Sequence, residues 1–170
     1  MKILIEEYNP NWKIDFEVEK KNLLEALSGI ACRVEHIGST SIEGLGAKPV
    51  IDILIGLTDF SFANDQINKL VKIGYQYIDK YEDVMPYRRF FIKEHGGCRT
   101  HHIHMVQINT EFWIRHLAFR DYLRANAEEK IKYYNLKKEL AKKDWTDVNE
   151  YADAKSEFIK SIEKKAIKFS

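Results

Sequence analysis

Two spacings of apolar side chains run along this chain, and they predict different elements. After Asn9-Pro10-Asn11, a helix entry, Trp12, Phe16, Leu23, Leu24 and Leu27 recur at roughly helical spacing until Ser28-Gly29 closes the run. Cys32 to Ile37 is a short strand. The stretch from Gly38 to Pro49 holds Gly38, Gly44 and Gly46 together with Ser39-Thr40-Ser41, so it is a loop with room for one helical turn. Val50-Ile-Asp52-Ile-Leu-Ile55 is an apolar run broken by a single carboxylate, the pattern of a strand buried on both faces. Phe62 to Ile73 is an amphipathic helix ending at Gly74. Arg88 to Lys93 and His102 to Gln107 are two strands, joined through Gly96-Gly97 as a hairpin. From Glu111 onward there is no glycine or proline, and the pattern stays helical. Three helices are expected there: Glu111 to Arg124, Ala127 to Lys142, and Thr146 to Lys168 with Thr146-Asp147 as its cap.

Early strands followed by late helices predict an α+β fold, with a mixed sheet flanked by helices. A length of 170 residues suits one domain, with the sheet-containing core at 1–109 and a helical region at 110–170. Lys and Arg number 27 against 26 Asp and Glu, a net charge of +1. Coating nucleic acid or an anionic membrane needs a basic excess, so neither is expected. No apolar run approaches the roughly 20 residues that cross a bilayer, and Glu6-Glu7 interrupts the start before a signal sequence forms. Cys32 and Cys98 lack CxxC partners and suit reduced thiols in a cytoplasmic protein. A homo-oligomer is left open, as is the role of the helical tail: it can cover the sheet, wall a pocket or build a dimer.

The candidate chemistry lies between His36 and Ile55. A Gly/Ser loop after a strand can turn its N–H groups, with the hydroxyls of Ser39, Thr40 and Ser41, toward a phosphate. Asp52 on the next strand is costly to bury unless paired, hydrogen-bonded or bound to a cation. His102 and His104 lie two apart on a strand and share a face. If that strand neighbours the one carrying Asp52, the three form a His-His-carboxylate set suited to Zn²⁺, Mn²⁺ or Fe²⁺. Lys48, Arg88, Lys93 and Arg99 can supply positive charge for a phosphate, although Arg88 and Arg89 point to opposite faces. Each feature also has a plain alternative: Gly38-Ser39-Thr40 as a turn, Asp52 as a structural acid, and the histidine pair as an edge feature. The Glu and Lys runs of the tail are expected to be solvated faces, and its aromatics packing residues.

The string HIGSTSIEGLGAKPVIDI, from His36 to Ile53, resembles the signature of the GrpB family. The resemblance continues through His102-Ile-His104, Phe119-Arg-Asp-Tyr-Leu-Arg124 and Tyr151-Ala-Asp-Ala-Lys-Ser-Glu-Phe-Ile159, and so covers nearly the whole chain. It implies a nucleotidyltransferase-like fold, and related domains occur fused to dephospho-CoA kinase. Ile37-Gly38-Ser39 and the spacer to Asp52 fit the nucleotidyltransferase pattern. The second acid of that pattern does not, because Leu54 and Val50 stand where it belongs. The resemblance thus implies a nucleotide or other phosphate-bearing small ligand. Asp52 would be catalytic and would hold a divalent metal (Mg²⁺, Mn²⁺ or Zn²⁺) with His102 or His104, for nucleotidyl or phosphoryl transfer. Gly38, Ser39, Thr40, Ser41, Lys48, Arg88, Lys93 and Arg99 would bind phosphate. Two alternatives stand beside this: a non-catalytic binding module, and a metal-dependent hydrolase built on the histidine pair.

Overall fold

A computed structural model describes residues 1–169, and statements of absence below refer to them. Five strands, β1 (Cys32–Ile37), β2 (Ile51–Leu57), β3 (Gln76–Ile78), β4 (Arg89–His95) and β5 (Cys98–Gln107), form one sheet. Its order is β1-β2-β5-β4-β3. Only β2 and β5 run parallel; the other neighbours are antiparallel, so the sheet is mixed. Five helices accompany it: α1 (Asn11–Ala26), α2 (Ala63–Lys72), α3 (Glu111–Ala125), α4 (Ala127–Ala141) and α5 (Val148–Phe169).

Most elements fall where the apolar periods put them, and the departures have local causes. β3 was not predicted, because three residues are too few to show an alternation and its position is the sheet edge. β4 and β5 run on to His95 and back from Cys98, leaving Gly96 and Gly97 as a two-residue turn. Both have positive φ (60° and 80°), the backbone that matches the twist of a hairpin. Leu24, counted in the apolar stripe of α1, is 41% exposed. Val50 precedes β2, and the Thr146–Asp147 cap lies ahead of α5: Asp147 accepts from the Glu150 N–H at 2.9 Å, and the Glu150 carboxylate accepts from the Thr146 N–H at 2.7 Å.

Strand alternation sorts the sheet into two faces. Ile51, Ile53 and Ile55 of β2, with Ile103 and Met105 of β5, pack under Trp12, Phe16 and Leu23 of α1, Leu27 just after it, and Leu70 of α2. On the other face Leu54 and Val106 meet Phe112 and Trp113 of α3. That face is only partly covered by α3. Beyond it, Ile42 and Leu45 of the loop after β1 pack on Leu123, Tyr133 and Ile162 of the last three helices. The N-terminal segment completes the join: Ile3 packs with Leu140 and Tyr151, and Glu6 bridges to Ala47. The helical region therefore covers a sheet face and also walls the space beside Asp52. No helix among the described residues is long and apolar enough to cross a membrane.

Candidate functional site

The parallel pairing of β2 with β5 sets Asp52 directly beside His102, and Leu54 beside His104. The Nδ1 of His102 lies 3.1 Å from the Oδ1 of Asp52. Burial works against ionisation of Asp52. The bond from His102 and the fields of His102, His104 and His36 outweigh it and hold the carboxyl below the usual range. Gly38, at φ 73° and ψ −177°, lets the chain leave β1 against this carboxylate; a Cβ there would lie 2.5 Å from Asp52 Oδ2. The chain then makes one tight 3₁₀ turn, Ser39–Ser41. Thr40 Oγ1 donates to Val50 O at 3.3 Å and lies 2.9 Å from His36 Nε2, tying the turn to the start of β2.

A cavity of about 170 Å³ opens beside Asp52. Ser39, Thr40 and Lys48 line one side, His102 another, and Lys137 of α4 with Tyr151 and Lys155 of α5 the far wall. Lys137 is only 2% exposed, yet neither it nor Lys155 forms an ion pair with a carboxylate among the described residues. Their ammonium groups instead lie over the rings of Tyr133 (5.0 Å) and Tyr151 (4.6 Å). Burial, reinforced by repulsion from Lys155 and opposed by Asp52, pushes Lys137 down to about 7. Burial and Lys48 push Lys155 down to about 8, again against Asp52. Two further groups are buried without a partner: His102 Nε2 and the Tyr151 hydroxyl. The lysine ammonium groups without carboxylates and the Tyr151 hydroxyl can all donate to an anion rich in oxygen, whereas His102, donating through Nδ1 to Asp52, presents Nε2 of the neutral ring as an acceptor.

The structure sorts the sequence-derived residues. Gly38, Ser39, Thr40, Lys48, Asp52 and His102 come together. Ser41 turns away, its hydroxyl donating to Gly38 O at 2.5 Å and its carbonyl held by Arg124. Lys93 lies on the opposite face, paired with Glu19 at 2.6 Å. Arg99 is exposed near the β4–β5 turn, away from the cavity. Arg88 does share the face of Asp52, but it packs on Phe90 and reaches His104 Nδ1 at 3.2 Å instead of lining the cavity. His104 is enclosed among Phe90, Phe112 and His116, and burial pushes it down to about 3.

Among the described residues no three His, Cys, Asp or Glu side chains are grouped so as to hold a metal. Leu54, where a second acid would stand, is fully buried against Ile37, Val106, Phe112 and Trp113. The residues present therefore do not fit a two-metal set. Lys137 and Lys155 are not marked by the sequence pattern because the tail's Glu and Lys runs suit solvated faces, and Tyr151 is not because the tail's aromatics suit packing. The available signal was their spacing: Lys137 falls on the buried stripe of α4 with Tyr133 and Leu140, and Lys155 follows Tyr151 by one turn of α5.

A mixed sheet with Gly38-Ser39 leading to Asp52 defines a domain of nucleotidyltransferase-like fold. The Cid1 poly(U) polymerase bound to MgATP shares that fold at a TM-score of 0.56 and 13% identity, over 81% of this chain and 44% of the polymerase. The chain belongs to the GrpB family, whose profile (GrpB protein) matches residues 2–165. The conserved protein GrpB from Enterococcus faecalis superposes with a TM-score of 0.87 and 40% identity, over 97% of this chain and 98% of that one. A UPF0157 protein of Halalkalibacterium halodurans is 38% identical across 164 residues, 96% of this chain and 82% of its own length.

Proposed function

We infer that the cavity beside Asp52 binds the phosphate groups of a small ligand, a nucleotide or a related phosphate ester. The observation that carries this is Lys137, a buried ammonium with no carboxylate partner, facing the same cavity as Lys48 and Lys155. Phosphate oxygens accept from those three ammonium groups, from the Tyr151 hydroxyl and from the hydroxyl of Ser39. A cavity of about 170 Å³ has room for phosphates, so the remainder of a nucleotide extends outside it.

A second reading, transfer chemistry, is favoured by Asp52 and His102 lying at the edge of that cavity. Asp52 would orient or deprotonate an attacking hydroxyl, and the lysines would offset charge developing at phosphorus. With one carboxylate, a divalent cation would depend on the ligand's own phosphates for most of its coordination.

The experiment is a thermal-shift screen with nucleotides, coenzyme A precursors and sugar phosphates, each with and without Mg²⁺, Mn²⁺ or Zn²⁺, on the wild type, Asp52→Asn and Lys137→Met. A phosphate ligand should raise the melting temperature by linkage, and Lys137→Met should abolish the shift. A metal-dependent shift lost in Asp52→Asn selects transfer. A metal-independent shift kept in Asp52→Asn selects the binding module. No shift with any phosphate compound would sink both.

A further inference from the structure

The turn at Ser39–Ser41 has a second side. A cleft of about 730 Å³ lies behind it, several-fold larger than the cavity at Asp52 and within the range of small-molecule sites. Two helices form its walls. Lys13, Phe16, Glu17 and Lys20 fall at i, i+3, i+4 and i+7 of α1 and share one face. Arg120 and Arg124 stand one turn apart on α3. His36, stacked on Phe16 at 4.6 Å, and Thr40 lie between those walls.

The cleft's charges do not cancel. Glu35 is already taken, by Arg33 at 2.7 Å and Arg120 at 2.9 Å. Arg124 has no carboxylate; its Nε and one Nη both donate to the backbone oxygen of Ser41, at 3.0 and 2.8 Å. Lys130 donates to the backbone oxygen of Glu43 at 2.9 Å. Lys13 and Lys20 make no ion pair among the described residues. Against these four cations stand the exposed carboxylates of Glu17 and Glu43.

We propose that this cleft is a second ligand site, taking a small molecule of nucleotide size that carries two or more negative charges as phosphate or carboxylate. Arg120, held by Glu35 and Asp121, and Arg124, held by the Ser41 carbonyl, each keep one Nη without a partner among the described residues on one wall, and Lys13 and Lys20 add charge from the other. The chain's near-neutral total charge gathers its excess inside a concave space, which favours a compact anion over a nucleic acid. Thr40 borders both spaces, so the two ligands sit on opposite sides of one turn. The proposal stands whether or not the Asp52 cavity binds phosphate.

The test is isothermal titration of the full chain with ATP and with citrate, free of divalent metal. Wild type is compared with the double variant Lys13→Glu/Lys20→Glu and with Lys137→Met. At least one anion should bind wild type, and the double variant should weaken it by about tenfold or more. The component of the isotherm that the double variant weakens should stay within about twofold in Lys137→Met, whatever Lys137→Met removes from the Asp52 cavity, and this separates the two sites. Preference for ATP assigns phosphate, and preference for citrate assigns carboxylate. Since Lys13 and Lys20 hold no partner, the double variant should fold; if its melt shows otherwise, Lys20→Gln supplies the same comparison. Absence of binding at millimolar anion, undiminished binding in the Lys13/Lys20 variants, equal loss of the same component in Lys137→Met, or tighter binding of a single-stranded oligonucleotide than of either anion overturns the proposal.

Discussion

In the proposed phosphate site, Lys137 costs stability that a bound anion would return. With its ordinary value near 10.5 lowered to about 7 by burial, Lys137 is protonated less readily in the folded chain than in the unfolded one. Between those values the unfolded state holds more protons, so stability rises with pH across roughly 7 to 10. The ligand-free protein should therefore be more stable at pH 9 than at pH 7, by on the order of a few kcal/mol, and should melt at a higher temperature. Lys137→Met should reduce that dependence to the part due to Lys155 and raise the melting temperature at pH 7, while removing phosphate binding from the Asp52 cavity. Phosphate should restore the proton to Lys137, so titration at pH 8 in buffers of different ionisation enthalpy should show proton uptake. Enthalpies that do not vary with buffer would leave Lys137 outside the site. Gly38 is a second case. Its φ of 73° with an extended ψ is a backbone region essentially confined to glycine, and Asp52 fills the space a side chain needs. Gly38→Ala should cost about 1–3 kcal/mol by denaturant melt and displace the carboxylate, reducing ligand binding together with stability.

At the scale of elements, sequence patterns reveal what lies on one strand and hide what lies between elements. Period-2 spacing put His102 and His104 on one face, and β2–β5 pairing brings that face to Asp52. The same rule also separated Arg88 from Arg89: Arg88 reaches His104, while Arg89 turns to Asn64 and Pro86. It could not tell that Lys93 would face α1 and pair with Glu19, since a strand's alternation does not say which face carries a site. Nor could it show that α4 and α5 return to Asp52, because that contact depends on how the last three helices pack on Ile42 and Leu45. Leu54 is the clearest case of a packed position standing where the nucleotidyltransferase pattern has an acid. The site one step beyond Asp52 on that face is not open to the cavity but sealed under Phe112 and Trp113 of α3. Leu54→Asp, which would restore the missing acid, should thus destabilise the protein by about 3 kcal/mol or more by burying an unpaired carboxyl, and should create no metal-dependent activity. A folded Leu54→Asp protein with new metal-dependent transfer would show that α3 yields to let a second carboxylate in.

Across the whole molecule, the Asp52 cavity lies where three parts of the chain meet: the Gly38–Val50 loop, the sheet, and the α4–α5 pair, with Ile5 of the N-terminal segment at the rim. The loop packs on the helices through Ile42 and Leu45 against Leu123, Tyr133 and Ile162, and the N-terminal segment adds Ile3 against Leu140 and Tyr151 and the Glu6–Ala47 bridge. Meanwhile the like charges of Lys48, Lys137 and Lys155 push the parts away from each other across the cavity. A ligand that neutralises these lysines would remove their mutual repulsion at this junction and add bonds from the loop and both helices. Its stabilisation should therefore fall on the junction more than on the sheet, whose strands are already paired. Hydrogen exchange with and without inorganic pyrophosphate tests this. Amides of Gly38–Ser41 and of α4 and α5 near Lys137 and Lys155 should slow by about tenfold or more at saturation, while β4 and β5 around Phe91 and Ile103 should change little. Slowing spread evenly over sheet and helices would mean that the anion stabilises the fold without bridging these parts. Slowing confined to α1 and α3 would place pyrophosphate in the larger cleft, leaving the lysines of α4 and α5 without an anionic partner.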